Sequence, residues 1–360
     1  MLIKELPESI YSGAYKSGAH VQGIAFDVER GYVYYSFTTM LLKTDIQGNP
    51  VGSVIKLAGH LGCITYDKEK NRVYGSLELK HDNIGSCIIK NTGWDPSSED
   101  SFYLVSFDCE AIDRMEMDAE NDGVMKAVYL NEVINDYNAV DVTSGKKHRY
   151  GCSGIDGTGL GREFGGNEKK IMIAYGIYSD IERTDNDYQV ILQYDRDVIE
   201  KYGQPLNQEK PHHSGPAACE KRYFFYTGNT AYGVQNLEYD EYSDNWFLAV
   251  YRGQKPEFDN FPMFFIDASV APEEKELLGR GGERGLVLTS AKLGKQGKQE
   301  EIYGADFPYG ATGMASIGDG TFYFSHDGHK DDGFFTTGRR YKYDCTTTHL
   351  FEDLTETKNY

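Results

Sequence analysis

The sequence has no apolar run of the length a bilayer span needs, so no membrane partner is expected. It also has no C-x-x-C, no G-x-S-x-G and no H-E-x-x-H, which removes the usual dithiol, serine-elbow and zincin signatures. Its six cysteines (63, 87, 109, 152, 219, 345) are scattered, several within apolar runs where a thiol packs as a small hydrophobe. That usage fits reduced thiols and a cytoplasmic setting. The opening MLIKELPESIYSGAYKSG lacks a basic segment followed by an apolar one, so no signal peptide is expected. Positive charge is scarce as well: 37 Lys and Arg stand against 56 Asp and Glu, a formal net charge of −19. Such a field repels phosphate backbones and argues against a nucleic-acid surface. It suits cations or neutral polyols better than anions.

What the 360 residues do have is 28 Tyr, 18 Phe and 40 Gly, the composition of many short strands joined by tight turns. They also have a repeat. HVQGIAFDVERGYVYYS (20–36) lies over HLGCITYDKEKNRVYGS (60–76) without a gap, matching His20 with His60, Ile24 with Ile64 and Asp27 with Asp67. Each unit reads as an apolar strand, an Asp-led turn and a β-rich return strand. Weaker copies follow at 151–176, 233–249 and 310–325. A separate signature, an apolar or aromatic run closing on Asp, recurs as LLKTD (to Asp45), FYLVSFD (to Asp108), VILQYD (to Asp195), MFFID (to Asp267) and RRYKYD (to Asp344).

Both signatures give five units of four strands, the pattern of a β-propeller. The expected fold is all-β: one five-bladed propeller domain over residues 1–360, with four antiparallel strands per blade. Blades are expected at approximately 20–58, 59–149, 150–230, 231–307 and 308–357. In its repeat architecture the chain resembles the β-propeller superfamily from His20 to Leu354, and its blade-opening strand is similar to NHL-like and quinoprotein-like blades. No specific enzyme family is indicated. Long connections at about 81–100, 110–149, 177–187, 252–261, 271–307 and 326–338 are expected to gather on one face, the top, where binding residues usually sit.

The candidate chemistry follows from reading equivalent positions around the ring. The first position of the opening strand runs His20, His60, Gly151, Gly233, Gly310, and two positions on it runs Gln22, Gly62, Ser153, Gln235, Thr312. Two imidazoles at one depth on neighbouring blades are candidates for acid/base catalysis or for a divalent metal ion, the one cofactor the sequence suggests. A Gly-His in a blade also commonly hydrogen-bonds within that blade. Three positions further, Asp156 and Glu238 interrupt a ring of small residues, and two coupled carboxylates are what acid/base chemistry requires. In a regular strand those acids would face away from the histidines. Glu78, Arg252 and His326, at the ends of second strands, join Gln22 and Gln235 as ligand-binding candidates. GTGLGREFGG and GRGGERG are not phosphate loops, since neither joins a strand to a helix.

The expected function is a monomeric hydrolase or lyase acting on a carbohydrate or similar small polar ligand at the top mouth. This rests partly on the resemblance, because five-bladed propellers include many glycan-processing enzymes. The alternative is a non-catalytic glycan- or protein-binding propeller; equivalent aromatic pockets in each blade would favour it, and the top loops all differ. A purely structural module is the third reading.

Overall fold

A computed structural model of the chain describes residues 5–16, 19–93, 99–331, 333–346 and 348–355. Five separate, mainly antiparallel sheets form the blades of a propeller. Their inner strands are Val21–Asp27, His60–Asp67, Cys152–Arg162, Ala231–Asp240 and Met314–Ser316. Each is followed by second and third strands in antiparallel register, and the third strands run to Asp45, Asp108, Asp195 and Asp267, with Tyr343 beside Asp344 in the last blade. The shared Asp of the repeat is turn chemistry. Asp27 Oδ1 accepts from Arg30 N at 3.0 Å, Asp67 Oδ1 from Glu69 N at 3.0 Å, and Asp240 Oδ2 from Ser243 N at 2.9 Å.

The four-strand plan is extended at the outer edges. Two of the long connections spend part of their length there instead of on the top face. Met117–Asp118 runs parallel to the outer strand Pro50–Ile55 of blade one, and Arg284–Val287 runs parallel to Lys221–Tyr226 of blade three. An outer strand exposes unpaired N–H and C=O groups, and these additions cover them. In blade five the outer position is shared by the two ends of the described chain: Ser9–Tyr11 pairs with one part of Gly333–Tyr343 and Phe351–Asp353 with another. The ring is thereby closed by strand pairing. The connection expected at 326–338 is an extension of the hairpin formed by Thr321–Lys330 and Gly333–Tyr343.

Large aromatics fill the spaces between blades. Trp246, Tyr34, Tyr74, Tyr103 and Tyr175 are fully buried. All six cysteines are unpaired, and three of them (Cys63, Cys109, Cys152) are buried. No helix among the described residues is long and apolar enough to cross a membrane.

At the axis the inner strands crowd so closely that side chains are excluded at chosen points. A Cβ on Gly62 would stand 2.4 Å from Ser76 Oγ and 2.8 Å from the Asp156 carbonyl oxygen of the next blade. Ser76 Oγ donates to that same carbonyl at 2.9 Å. Gly62→Ala is therefore expected to destabilise the fold by about 2 kcal/mol through overpacking, read as a lower midpoint of urea unfolding; an unchanged midpoint would refute the close-approach account.

Candidate functional site at the top mouth of the channel

Four of the five inner strands carry a register irregularity near the top. These fall between Val21 and Gly23, Leu61 and Ile64, Cys152 and Gly154 with a second between Ile155 and Thr158, and Val234 and Asn236. Gln22, Gly62, Ser153, Asp156 and Gln235 therefore lie in bulges. A bulge re-aims a side chain that strict alternation would send elsewhere. For this reason Asp156 meets His60, although a regular strand would have turned it away.

His60 is the centre of the group. Its Nδ1 lies 3.2 Å from Asp156 Oδ1 and 3.9 Å from Glu78 Oε2. The alignment between Nδ1 and Oδ1 falls short of a hydrogen bond, so both buried atoms are left without one. Asp156 Oδ2 accepts instead from Gln235 Nε2 at 3.0 Å, and Gln235 also donates to the Tyr232 carbonyl at 3.0 Å. Among the described residues His60 Nε2 makes no hydrogen bond. Burial by itself would lower the imidazole, but Asp156 and Glu78 outweigh it and hold His60 above its ordinary value.

Behind the imidazole, Glu78 is almost fully enclosed. Its Oε1 accepts from Ile155 N and its Oε2 from Lys80 Nζ, the latter at 2.7 Å. Lys80 Nζ donates further to the Ser153 carbonyl at 2.8 Å and lies 3.3 Å from Asp82 Oδ2. Burial pushes Glu78 up to about 7 despite Lys80, with Asp156 adding to the rise. Burial opposes the charge on Lys80, yet Glu78 and Asp82 outweigh it and keep the ammonium protonated. Gly154 makes room for this packing: at φ +132°, a Cβ there would stand 1.9 Å from Glu78 Oε1.

His20 sits at the rim, more exposed than His60. Its Nδ1 is 3.1 Å from the Val21 carbonyl and its Nε2 is 3.1 Å from Gln22 Nε2, so it is engaged within its own blade. Gln22 also donates to Thr38 Oγ1 at 3.2 Å. Burial and the neighbouring His60 lower the His20 imidazole, which is neutral at pH 7. The metal expectation for His20 and His60 gains no support, because no three His, Cys, Asp or Glu side chains among the described residues converge as ligands.

Two further candidates share a cleft beside the mouth, between blades four and five. Arg252 and His326 line a cavity of about 550 Å³ with Tyr251, Tyr309, Thr312 and Asp327. Arg252 Nη2 is paired with Asp306 Oδ1 at 2.9 Å. His326 lies over Tyr309 with ring centroids 3.8 Å apart, and its Nε2 is 2.9 Å from Tyr341 Oη. Burial and the nearby Arg339 push His326 down to about 4, which makes it a neutral ring at neutral pH.

Glu238 stands apart. The expectation that it and Asp156 form a carboxylate pair at equal depth is corrected here. The second irregularity in blade three shifts Asp156 up to the level of Gln235, whereas Glu238, three residues further down its own strand, accepts from Ser316 N at 2.8 Å. Glu238 shares its cavity with Asp27 and Asp67 at the lower ends of the inner strands. Two residues of the upper group were missed in the sequence: Lys80 and Asp327. Lys80 was detectable, since it directly follows the strand Arg72–Leu79, two positions from Glu78, and so continues its alternation to the same side.

No protein-family model matches the chain, and comparison with curated proteins finds no significant match. Among solved structures the chain is similar to the Dos1 propeller (10% identity, TM-score 0.36, covering 94% of this chain and 70% of that one). It is also similar to a family 43 β-1,3-galactosidase solved with galactodeoxynojirimycin (10% identity, TM-score 0.41, 95% and 98% covered). A third is a Trichoderma reesei carbohydrate-active enzyme of family AA12 in a calcium structure (9% identity, TM-score 0.42, 91% and 82% covered). Likeness of this degree assigns no activity to the chain.

The buried cluster makes stability depend on pH in a defined direction. His60 and Glu78 bind protons more tightly in the fold than in the unfolded chain, where they titrate near 6.5 and 4.5. Protonation then favours the folded state, and the unfolding free energy contributed by these groups falls as pH rises from about 4.5 through about 7. In Glu78→Gln the difference in urea midpoint between about pH 5 and about pH 8 is expected to narrow; an unaltered difference would show that Glu78 does not titrate there.

Proposed function

We propose that the top mouth is an acid/base site of a hydrolase or lyase that acts on a carbohydrate or a similar small polyhydroxylated ligand. The observation that carries this reading is the setting of His60: Nδ1 faces two carboxylates while Nε2 is left without a hydrogen bond among the described residues. Carboxylates on one side of an imidazole fix its orientation and stabilise its protonated form, which suits it to accept a proton from a bound hydroxyl or carbon acid and to return it. In this reading Asp156, facing Nδ1 at 3.2 Å, stabilises the imidazolium that forms on His60. Glu78, backed by Lys80, orients the imidazole, and the neutral His20 supplies a second nitrogen at the rim.

The ligand class follows from the residues of the mouth and of the cleft beside it. Gln22, Gln235 and Thr312 offer neutral donors and acceptors of the kind that match sugar hydroxyls. Tyr232 and Tyr251, with centroids 6.3 Å apart, and the His326–Tyr309 pair present ring faces on which a sugar can lie. The formal net charge of −19 disfavours polyanionic ligands.

The test is a panel of neutral and uronate-containing oligosaccharides, followed by release of reducing ends and formation of unsaturated products. Turnover by the wild-type chain is expected to fall at least ~100-fold in His60→Ala and in Asp156→Asn, with the circular dichroism of the fold unchanged. Saturable glycan binding with no turnover would overturn the catalytic reading in favour of a binding propeller. Turnover undiminished in both variants would move the chemistry elsewhere.

A further inference from the structure

The lower end of the channel opens into a second cavity, of about 450 Å³, to which all five blades contribute. Its lining mixes apolar residues, Phe26, Leu160 and Ile317 among them, with polar and charged ones. Most of that charge is answered within the protein. Asp27 is held by Arg30 at 3.1 Å and by Tyr66 Oη at 2.9 Å, Asp67 by Arg196 at 2.7 Å, and Glu241 by Lys169 at 3.3 Å.

Glu238 differs from these acids. It faces the same cavity, yet no Lys, Arg or His among the described residues lies within ion-pairing distance of it, and its one hydrogen bond is from Ser316 N at 2.8 Å. Asp240, two residues on, is occupied by Ser243 and by Ser316 Oγ at 2.6 Å, so it adds negative charge without relieving Glu238. A carboxylate turned into a cavity without a counter-ion is an unfilled half of a pair. One carboxylate with no converging second or third acid falls short of a metal site, which takes several oxygen or nitrogen ligands. It does match a hydrogen-bond-donating organic cation, and the apolar part of the lining, Phe26, Leu160 and Ile317, would hold the stem of such a molecule.

We propose that this lower cavity is a second binding site, separate from the top mouth, that takes a small organic cation, an ammonium or guanidinium group on an apolar stem, with Glu238 as the counter-ion. The site is independent of whatever reaction the top mouth performs. Asn236 sits between the two ends of the channel. Its Nδ2 donates to the Gln22 carbonyl of blade one at 2.8 Å and to the Ala311 carbonyl leading into blade five at 3.0 Å.

Binding is linked to a proton. Burial pushes Glu238 up to about 8, with the Ser316 N–H opposing and Asp240 adding to the rise. At pH 7 the empty site therefore holds mostly the neutral acid, and an incoming cation displaces its proton. The other charged groups that face the cavity are Asp27, Glu29, Asp67, Lys68, Lys169 and Glu241. Of these, Asp27, Asp67 and Glu241 each have the cationic partner named above.

The test is isothermal titration of the full chain with n-hexylammonium chloride, with n-hexanol and calcium chloride as controls. Titrations are run at pH 7 in two buffers of different ionisation enthalpy. The expected result is saturable binding of hexylammonium, weak or no binding of hexanol, release of a proton on binding, and affinity that rises with pH. Glu238→Gln, which keeps an acceptor for Ser316 N–H, is expected to weaken hexylammonium binding by about tenfold or more and to abolish proton release. Equal affinity for hexanol, binding without proton release in the wild-type chain, or no binding at all would overturn the proposal. Calcium binding lost in Glu238→Gln would overturn it in favour of a metal site. The proton-release measurement needs no variant, so it decides the matter even where the variant fails to fold.

Discussion

The convergence of five strands on one axis governs the rest of this molecule. Where inner strands approach as closely as those carrying Gly62 and Asp156, a methyl group does not fit, so adjacent blades are joined by hydrogen bonds across the seam. Ser76 reaches the Asp156 carbonyl, Cys63 Sγ reaches the Thr158 carbonyl at 3.3 Å, and Asn236 ties blade four to blades one and five. Crowding pushes the inner strands into bulges near the top, and the bulges turn polar side chains into the mouth. The candidate site is thus a consequence of how the ring closes: the geometry that satisfies the axis also delivers Gln22, Asp156 and Gln235 to one place.

This explains what the sequence disclosed and what it hid. Strand count, blade number and the Asp-led turns follow from alternation and turn chemistry, both local, and both can be read from HVQGIAFDVERGYVYYS and its copies. The histidines stood out because the other three blades carry Gly at that position. The pairing of His60 with Asp156 could not be read, because a bulge moves a residue by one position without leaving a composition signature. For the same reason Asp156 and Glu238, alike in the repeat alignment, end at different depths. The outer-edge strands at 117–118 and 284–287 were hidden too: they are short, pair in parallel with a non-consecutive strand, and carry no alternation long enough to detect.

The two glutamates of the channel show what burial means chemically. Glu78 lies deep between blades two and three but has the Ile155 N–H, Lys80 and His60 around it. Its carboxyl is built into the structure by these partners, and removing Lys80 would leave it without a cation. Glu238 has a single N–H and an acidic neighbour. Both are raised by burial, to about 7 and about 8, but for opposite architectural reasons. At Glu78 the rise survives a nearby cation because Asp156 crowds the same space. At Glu238 it persists because no Lys, Arg or His among the described residues pairs with it. A compensated buried acid behaves as part of a wall, and an uncompensated one that faces a cavity is poised to respond to what enters. That asymmetry, more than the number of acids at either end, gives the two mouths of the channel different chemistry.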